Sequence, residues 1–381
     1  MAQLRSKLAG VGVAVAGVAA LVGSLLTSGG ADAGASANPT ASPGTSAGNP
    51  GTSAGASTAK TFSNPVLGPG QDPSVLTYQG WYYFTQSAPD AKSITIRRSR
   101  SIKSLAAAPK AVVWQAGQAG SPCCDWWAPE LHHIGNSWYI YTTADDGNND
   151  NHRLQVLQAA GPLGPYTYKG QLATPGGDWS IDPSPLQLPN GQLYLAWSGW
   201  PGSTNGVQNI YLAKLANPWT ITGDRTLLST PTYSWETQAG TVGVKVNESP
   251  EPIVHGGRVF ITYSASGCWT PDYALGLLSA STSANLLNAS SWTKSATPVF
   301  QSNTSAGIYA PASNGWFTSP DGRQTWMVFH ATNDPAGNCG LERAVYAQPV
   351  TWGANGFPQL GGEPVSLTTT LKVPSGDPGA P

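Results

Sequence analysis

Acidic residues stand beside prolines at several points of this 381-residue chain, at spacings that could bring them together. The corners are Asp72-Pro73, Pro129-Glu130, Asp182-Pro183, Glu248-Ser249-Pro250 and, without an acid, Ala310-Pro311. Carboxyl groups that share one pocket can act as the general acid and the general base of a hydrolysis. A single corner is explained equally well by turn formation, because Asp and Glu are common beside a proline that begins a strand. Three acids at equivalent points of a repeat, Asp72, Asp182 and Glu248, favour chemistry.

The elements that must position these corners form a repeat. Each corner precedes a turn glycine and a short strand of aromatic and β-branched residues, and the glycines are 55, 56, 66 and 65 residues apart: Gly80, Gly135, Gly191, Gly257 and Gly322. A strand repeat of this length is typical of a propeller, with one four-stranded sheet per repeat. No sustained helical period interrupts it. The sequence therefore predicts an all-β, five-bladed β-propeller with the acids at one mouth of its channel.

The composition excludes some partners. Only 10% of the residues are charged, and 19 basic against 20 acidic residues leave a net charge near zero. Nucleic acid would require a basic surface, and a neutral substrate fits better than a polyanion. Fifteen Trp and fourteen Tyr exceed ordinary usage. Most of them should form the core, while exposed rings could bind the apolar faces of sugars.

The N-terminus is typical of an export signal. Arg5 and Lys7 precede an uncharged apolar run, and small residues follow it. Cleavage is favoured over retention as a membrane anchor, so we expect a secreted, extracellular protein with no membrane attachment after cleavage. The following Gly, Ser, Thr and Ala-rich stretch cannot form a core. The predicted organisation is a signal peptide at 1–33, a flexible linker at 34–60, the propeller at 61–372 and a flexible tail at 373–381.

Four cysteines would lie in an oxidising environment after export, which favours disulfides. We expect Cys268 to pair with Cys339, because each follows the repeat strand of its blade and the two blades are consecutive. Cys123 and Cys124 are then adjacent residues that are either bonded to each other or both free. A zinc site is the weaker interpretation, since no CxxC or HxxxH spacing is present.

With its corners in place, the chain resembles glycoside hydrolase family 43 over residues 62–366. These are five-bladed propeller enzymes that remove arabinofuranose or xylose from plant polysaccharides. The motifs that carry the resemblance are Gln71-Asp-Pro-Ser-Val75, Trp127-Ala-Pro-Glu-Leu131, Ile181-Asp-Pro-Ser184, Val246-Asn-Glu-Ser-Pro250, Phe329-His-Ala331, Arg343 and Gln348-Pro-Val-Thr-Trp352. Each motif is weak alone, and their order makes the resemblance specific.

The resemblance implies a role for each of three acids. Asp72 would be the general base that activates water, Glu248 the general acid, and Asp182 the carboxylate that orients the acid and raises its pKa. A base that acts through water implies inversion at the anomeric carbon. Ser249 departs from the family, which more often has Gly there. Glu251 is the competing acid, and strand alternation would point it away from the side of Glu248.

Other residues gain roles from the same resemblance. Trp127 and Glu130 would line the sugar pocket, with blade core and a solvated acid as the alternatives. Arg343 would reach the sugar from the last blade unless it forms a salt bridge at the rim. His330 would help to hold a calcium or other ion in the channel, although a lone His in such a strand is more often a core residue. The chemistry itself would require no cofactor.

The resemblance is strongest to the exo-arabinofuranosidase branch, through Cys123 to His133. We therefore expect a monomer that releases terminal α-L-arabinofuranose from arabinan, arabinoxylan or derived oligosaccharides of the plant cell wall. The alternatives are a β-xylosidase or an endo-arabinanase on the same fold, a retaining fructan hydrolase, and a non-catalytic sugar-binding propeller. The last is disfavoured because a binding protein would be free to lose any of the three acids.

Overall fold

A computed structural model of the protein describes residues 60–176 and 179–379. The predicted signal peptide and the predicted linker up to residue 59 lie outside the described residues, so both stay predictions. Strands dominate the described part, as the repeat predicts. A search of the same residues finds no helix with the length and apolar character needed to cross a membrane.

The strands of the described residues group into five consecutive blades of four. Blade 1 contains β2 (Ser74–Tyr78), β3 (Trp81–Thr85), β4 (Ser93–Ser99) and β5 (Lys110–Gln115). Blade 2 contains β6 (Cys124–Ile134), β7 (Ser137–Asp145), β8 (Arg153–Ala159) and β9 (Thr167–Gln171). Blade 3 contains β10 (Ser180–Gln187), β11 (Leu193–Gly199), β12 (Val207–Asn217) and β13 (Thr220–Ser229). Blade 4 contains β14 (Lys245–His255), β15 (Arg258–Ala265), β16 (Ala274–Ser281) and β17 (Thr293–Lys294), and blade 5 contains β18 (Tyr309–Thr318), β19 (Thr325–Thr332), β20 (Ala344–Trp352) and β21 (Pro358–Gln359).

Short 3-10 segments lie in the connections, at Ile102–Ser104, Gln118–Gly120, Asn149–Asn151, Ser234–Glu236, Ala289–Ser291 and Thr304–Ala306. Within each blade, neighbouring strands pair antiparallel in chain order. The first strands contact one another in a closed ring, β2 to β6, β10, β14, β18 and back to β2. This ring surrounds the channel, and the predicted five-bladed β-propeller is confirmed.

The repeat strand of each blade is buried on both faces, which explains its nearly continuous apolar sequence. In β3, Tyr82 and Phe84 face the core shared with blade 5, whereas Tyr83 faces the core shared with blade 2. The ring centroid of Tyr82 lies 6.0 Å from that of Phe317, and the centroid of Tyr83 lies 5.8 Å from that of Trp138. Alternate side chains of one strand thus join its blade to both neighbours.

The X-Pro corners share an unusual backbone conformation. In all five described corners the residue before the proline has a positive φ: Asp72 (50°), Ala128 (43°), Asp182 (54°), Ser249 (48°) and Ala310 (52°). Residues other than glycine rarely adopt such φ values. In blades 2 to 5 the pairing register also shifts across the corner, as in a β-bulge. The corners are therefore equivalent in structure as well as in sequence.

This equivalence corrects one expectation about the acids. Asp72 and Asp182 occupy the positive-φ position itself, whereas in blade 4 that position belongs to Ser249. Glu248 lies one residue earlier, in the place that Trp127 occupies in blade 2. The three acids were predicted at equivalent points of the repeat, which is wrong by one residue for Glu248.

The two ends of the propeller are tied together. Strand β1 (Thr61–Phe62) pairs antiparallel with β22 (Leu371–Lys372). Beyond β22, the side chain of Asp377 is buried and accepts hydrogen bonds from the hydroxyl of Tyr82 at 3.0 Å and from the backbone N–H of Ile102 at 2.8 Å. This part of the segment expected to be a flexible tail is therefore packed against blade 1, because its carboxylate satisfies two donors there.

Replacing Asp377 by Ala should destabilise the protein. The Tyr82 hydroxyl and the Ile102 N–H would lose their partner in a buried place, at a cost of about 1–3 kcal/mol in the free energy of unfolding. Chemical denaturation checks this, with Asp224→Ala, at an exposed acid, as the control. Equal midpoints for the two variants would show that this contact adds no stability.

Candidate active site

A chain of hydrogen bonds connects two of the predicted acids across the channel. The hydroxyl of Ser313 lies 3.4 Å from Oδ1 of Asp72 and 3.3 Å from the hydroxyl of Ser249. Ser249 in turn donates to Oδ2 of Asp182 through its backbone N–H at 3.0 Å and its hydroxyl at 3.1 Å. Glu248 precedes Ser249 directly, so three blades bring their acids to one place. The serine that departs from the family motif supplies one link of this chain.

Asp72 is more accessible than Asp182, with 22% of its side chain exposed. Its Oδ2 accepts a hydrogen bond from the hydroxyl of Ser87 at 2.6 Å, and Ser87 is itself held by the backbone N–H of Ala128 at 2.7 Å. The backbone N–H of Asp72 donates to Nδ1 of His330 at 3.0 Å. Hydroxyl donors on both carboxyl oxygens orient Asp72 as a hydrogen-bond acceptor, which is the form that a base must have.

Asp182 is buried between Asp72 and Glu248. Burial, followed by the charge of Asp72, raises the pKa of Asp182 to about 7, although the two hydrogen bonds from Ser249 act in the opposite direction. Asp182 is thus close enough for its charge to act on both Asp72 and Glu248.

Glu248 has the environment of a general acid. Burial and then the charges of Asp182 and Asp72 raise the pKa of Glu248 to about 8, while a hydrogen bond from Tyr273 and the charge of Arg343 lower it. The hydroxyl of Tyr273 donates to Oε1 of Glu248 at 2.8 Å. A carboxyl group with this pKa keeps its proton at neutral pH and can deliver it to a leaving oxygen.

A second pair of carboxyl groups, Glu130 and Glu251, lines the same cavity as Asp72 and Asp182. Nε2 of His132 lies 2.8 Å from Oε2 of Glu130. Burial raises the pKa of Glu130 to about 8 and raises the pKa of Glu251 well above its usual value, with the charge of Glu130 adding to the latter. The raised pKa values allow the pair to share a proton.

The competing acid, Glu251, has partners of its own. Ser184 donates to its Oε2 at 3.0 Å, and the backbone N–H of Trp316 lies 3.3 Å from its Oε1. Glu248, by contrast, contacts Tyr273. These contacts favour Glu248 over Glu251 as the proton donor. Glu130 was predicted to line a sugar pocket, and it also lies within a network with His132 and Glu251.

Arg343 and His330 form a support beneath Asp72. Nη1 of Arg343 lies 2.8 Å from Nε2 of His330, and its Nη2 donates to the Gln71 side chain and to the Cys339 carbonyl. Arg343 is buried, so it is not the exposed salt bridge at the rim that was the alternative interpretation. Its charge lowers the pKa of Glu248, which places the guanidinium close to that acid.

The metal ion predicted at His330 stays a prediction, and both ring nitrogens of this residue have protein neighbours. One ring nitrogen faces the Asp72 N–H, and the other faces the cationic guanidinium of Arg343. Burial and the charge of Arg343 lower the pKa of His330 well below its usual value. His330 thus lies between the backbone N–H of Asp72 and the guanidinium of Arg343.

Trp127 occupies in blade 2 the place that Glu248 has in blade 4, and its ring lies 4.0 Å from that of His152 between centroids. Tyr309 has the same place in blade 5. Tyr309 and Tyr273 also line an adjoining groove of about 380 Å³, together with Trp235 and Pro335. Aromatic side chains therefore lie around the acids, including the partly exposed rings of Trp127 and Tyr309 and those that line this groove.

Both cysteine pairs are disulfide-bonded. Cys268 pairs with Cys339, as predicted, and Cys123 pairs with its neighbour Cys124. The first bond joins the connection between β15 and β16 to that between β19 and β20. These are the segments that lead to Tyr273 and to Arg343.

Sequence reasoning missed the residues that hold the acids. Ser87, Tyr273 and Ser313 lie outside the X-Pro corners, and no local pattern marks them. Tyr309 could have been found, because it precedes Ala310 as Glu248 precedes Ser249.

Comparison with known proteins agrees with this geometry. The family model described as glycosyl hydrolases family 43 matches residues 62–358. The chain belongs to glycosyl hydrolases family 43. It is 41% identical over 317 residues to an extracellular exo-α-(1→5)-L-arabinofuranosidase of Streptomyces avermitilis. The match covers 80% of this chain and 64% of that protein. This family-43 chain thus spans about two thirds of the length of that relative.

Two further relatives of this family-43 chain support the comparison. A Streptomyces chartreusis protein with the same description is 37% identical over 71% of this chain and 82% of its own length. The crystal structure of an α-L-arabinofuranosidase from Lactobacillus brevis matches with a TM-score of 0.74 and 33% identity, over 81% of this chain and 98% of that one. The resemblance inferred from the corner motifs is therefore confirmed.

Proposed function

We propose that this protein is a secreted, inverting α-L-arabinofuranosidase that releases terminal arabinofuranose from arabinan, arabinoxylan or derived oligosaccharides. The observation that carries the proposal is the contrast between Glu248, whose pKa is raised to about 8, and Asp72, which accepts hydrogen bonds from Ser87 and Ser313. One group holds a proton and the other is ready to accept one. The three relatives are named as arabinofuranosidases, which supports arabinofuranose as the sugar.

The proposed reaction has one displacement step. A water molecule attacks the anomeric carbon while Asp72 takes its proton. Glu248 gives its own proton to the glycosidic oxygen as the bond to the anomeric carbon breaks. The products are arabinose of inverted configuration and a chain with a new hydroxyl group, and both acids return to their starting states by exchange with solvent.

The remaining residues act on orientation. Asp182 is proposed to keep the proton on Glu248, since its charge contributes to the raised pKa of that group. Trp127 would pack against the sugar, and Arg343 would fix Asp72 through His330 and reach toward Glu248. The groove beside Tyr273 is suited to the departing part of the substrate, because it begins at the residue that holds the acid.

Product analysis tests the proposal. Purified protein would be given nitrophenyl α-L-arabinofuranoside, nitrophenyl β-D-xyloside and debranched arabinan, with the anomer first formed followed by NMR. We expect arabinose as the only product from arabinan and the inverted anomer in the first spectra. Oligosaccharide products would favour an endo-arabinanase, xylose a xylosidase, and the retained anomer a different mechanism. No turnover on any of the three would favour a sugar-binding propeller.

The pH profile should respond to Tyr273. Activity is expected to fall above pH about 8 as Glu248 loses its proton. The Tyr273 hydrogen bond lowers the pKa of Glu248, so Tyr273→Phe should raise that pKa and move the alkaline limb of kcat/KM to higher pH. Tyr233→Phe, at an exposed tyrosine, serves as the control and should leave the limb in place. A limb that does not move would separate Tyr273 from the proton donor.

A further inference from the structure

A cluster of three possible metal ligands lies behind Trp127, outside the groups used in the proposed reaction. It contains Asp125 at the start of β6, Asp145 at the end of β7, and His152 just before β8. One ligand atom of each residue can be chosen so that all three atoms lie within 4.8 Å of one another. Asp125 follows the Cys123–Cys124 disulfide directly and has a φ of 49°.

Two of these side chains are fully enclosed, yet three of their four polar side-chain atoms lack a hydrogen bond, the exception being Oδ1 of Asp145, which accepts from the Gly147 N–H at 2.9 Å. His152 is 0% exposed and Asp145 is 1% exposed. Within residues 60–176 and 179–379, no hydrogen-bond partner is found for either ring nitrogen of His152 or for Oδ2 of Asp145. Nε2 of His152 lies 3.5 Å from that Oδ2, which is too long for a strong bond. Buried polar atoms are rarely left in this state without a function or a bound group.

The charges around the cluster favour a cation. Two of the three side chains, Asp125 and Asp145, are acidic. His152 adds an imidazole ring nitrogen, which is a common ligand atom for a metal ion. The nearby Arg153 donates to the carbonyls of Asp150 and His152, and no ion pair within 4 Å joins it to either acid among the described residues.

We propose that Asp125, Asp145 and His152 bind a divalent transition-metal ion, for which zinc is the best-matched candidate. One imidazole nitrogen and two carboxylate oxygens are ligands that zinc accepts, and the fourth position would hold water. Calcium fits less well, because it prefers six to eight oxygen ligands. Asp125 is only partly buried and provides the route by which the ion enters.

The site would support the sugar pocket and take no part in bond cleavage. The ring of His152 lies against that of Trp127, with 4.0 Å between centroids. An ion bound to Nε2 would fix the imidazole, and with it the face on which Trp127 rests. Because Asp125 belongs to β6 and Asp145 to β7, the ion would also join two strands beside the Cys123–Cys124 bond.

Metal titration of the full chain tests this proposal directly. The protein would be stripped with a chelator, kept free of reductant so that both disulfides remain and offer no thiolate, and titrated calorimetrically with ZnCl₂ and with CoCl₂. We expect one ion per chain, a rise in Tm with zinc, and a visible Co²⁺ spectrum of low coordination number. Loss of groups that only support a metal ligand costs 10–100-fold in affinity, so Asp145→Asn should weaken binding by at least about 100-fold.

Control variants keep the test decisive. Asp150→Asn, at an exposed acid of the same loop, should bind zinc like the unaltered chain. If circular dichroism shows that Asp145→Asn does not fold, Asp125→Asn at the partly exposed position provides the same comparison. Absence of a one-to-one zinc complex in the unaltered chain would overturn the proposal and leave a carboxyl pair that shares a proton. Equal zinc affinity in the cluster variants and in Asp150→Asn would overturn it too, by placing the ion elsewhere.

Discussion

Glu248→Ala should slow the release of arabinose from arabinobiose by about 10²–10⁴-fold, the usual contribution of general acid catalysis, and slow dinitrophenyl arabinofuranoside far less. The alkoxide that leaves arabinobiose needs a proton at the moment of cleavage, whereas dinitrophenolate is stable without one. The measurement is kcat/KM for the two substrates. Their ratio reports the step at which the residue acts, which a loss of activity alone would not.

Glu251→Gln is the matched comparison for this prediction. Glu251 is a carboxylic acid in the same strand, and its pKa is also raised. It accepts hydrogen bonds from Ser184 and Trp316, whereas Glu248 accepts one from Tyr273. We expect this variant to affect both substrates alike. If the selective loss follows Glu251 and not Glu248, the assignment of the general acid must be exchanged.

Asp72→Asn should remove nearly all turnover on both substrates, because water must be activated whichever group departs. An amide of the same shape can keep the contacts with Ser87 and His330 but cannot accept the proton of water. General base catalysis is worth about 10²–10⁴-fold, so the residual rate should be small. The measurement is kcat/KM together with the circular dichroism spectrum, which should stay unchanged.

The substitution Asp224→Asn, at an exposed acid, provides the background rate for this experiment. Activity close to that of this control in Asp72→Asn would remove Asp72 from the scheme. Loss of the spectrum would instead show that the carboxylate is needed for folding, and Asp72→Ser would then be the variant to measure.

The sequence predicted the fold well, because the fold rests on a repeated local pattern. A turn glycine precedes the repeat strand of each blade. Strands such as Trp81–Thr85 are apolar on both faces, because each blade packs against two neighbouring blades. The X-Pro corners located Asp72 and Asp182 for a similar reason, since each corner requires the same positive φ. The same rule shows that Ser249, one residue after Glu248, is the blade-4 equivalent of Asp72 and Asp182.

The environment of the site could not be predicted in the same way. Ser87 and Tyr273 contact the acids from the connections between the second and third strands of blades 1 and 4, and such contacts depend on the curvature of the sheet and on loop geometry. The role of Glu130 was predicted from its corner, yet its partners His132 and Glu251 are set by the channel packing. Asp377 was expected in a tail because Pro and Gly surround it, and only the tertiary structure reveals the two donors that it satisfies.

The Cys268–Cys339 bond has a mechanical consequence for catalysis. One of its ends lies five residues before Tyr273, which is hydrogen-bonded to the proposed proton donor, and the other lies four residues before Arg343, which contacts His330 beside the proposed base. Inversion requires a gap of ~6.5–9.5 Å between the two carboxyl groups, wide enough for a water molecule. The bond joins blades 4 and 5, so that the connections leading to Tyr273 and Arg343 cannot separate without straining a covalent link.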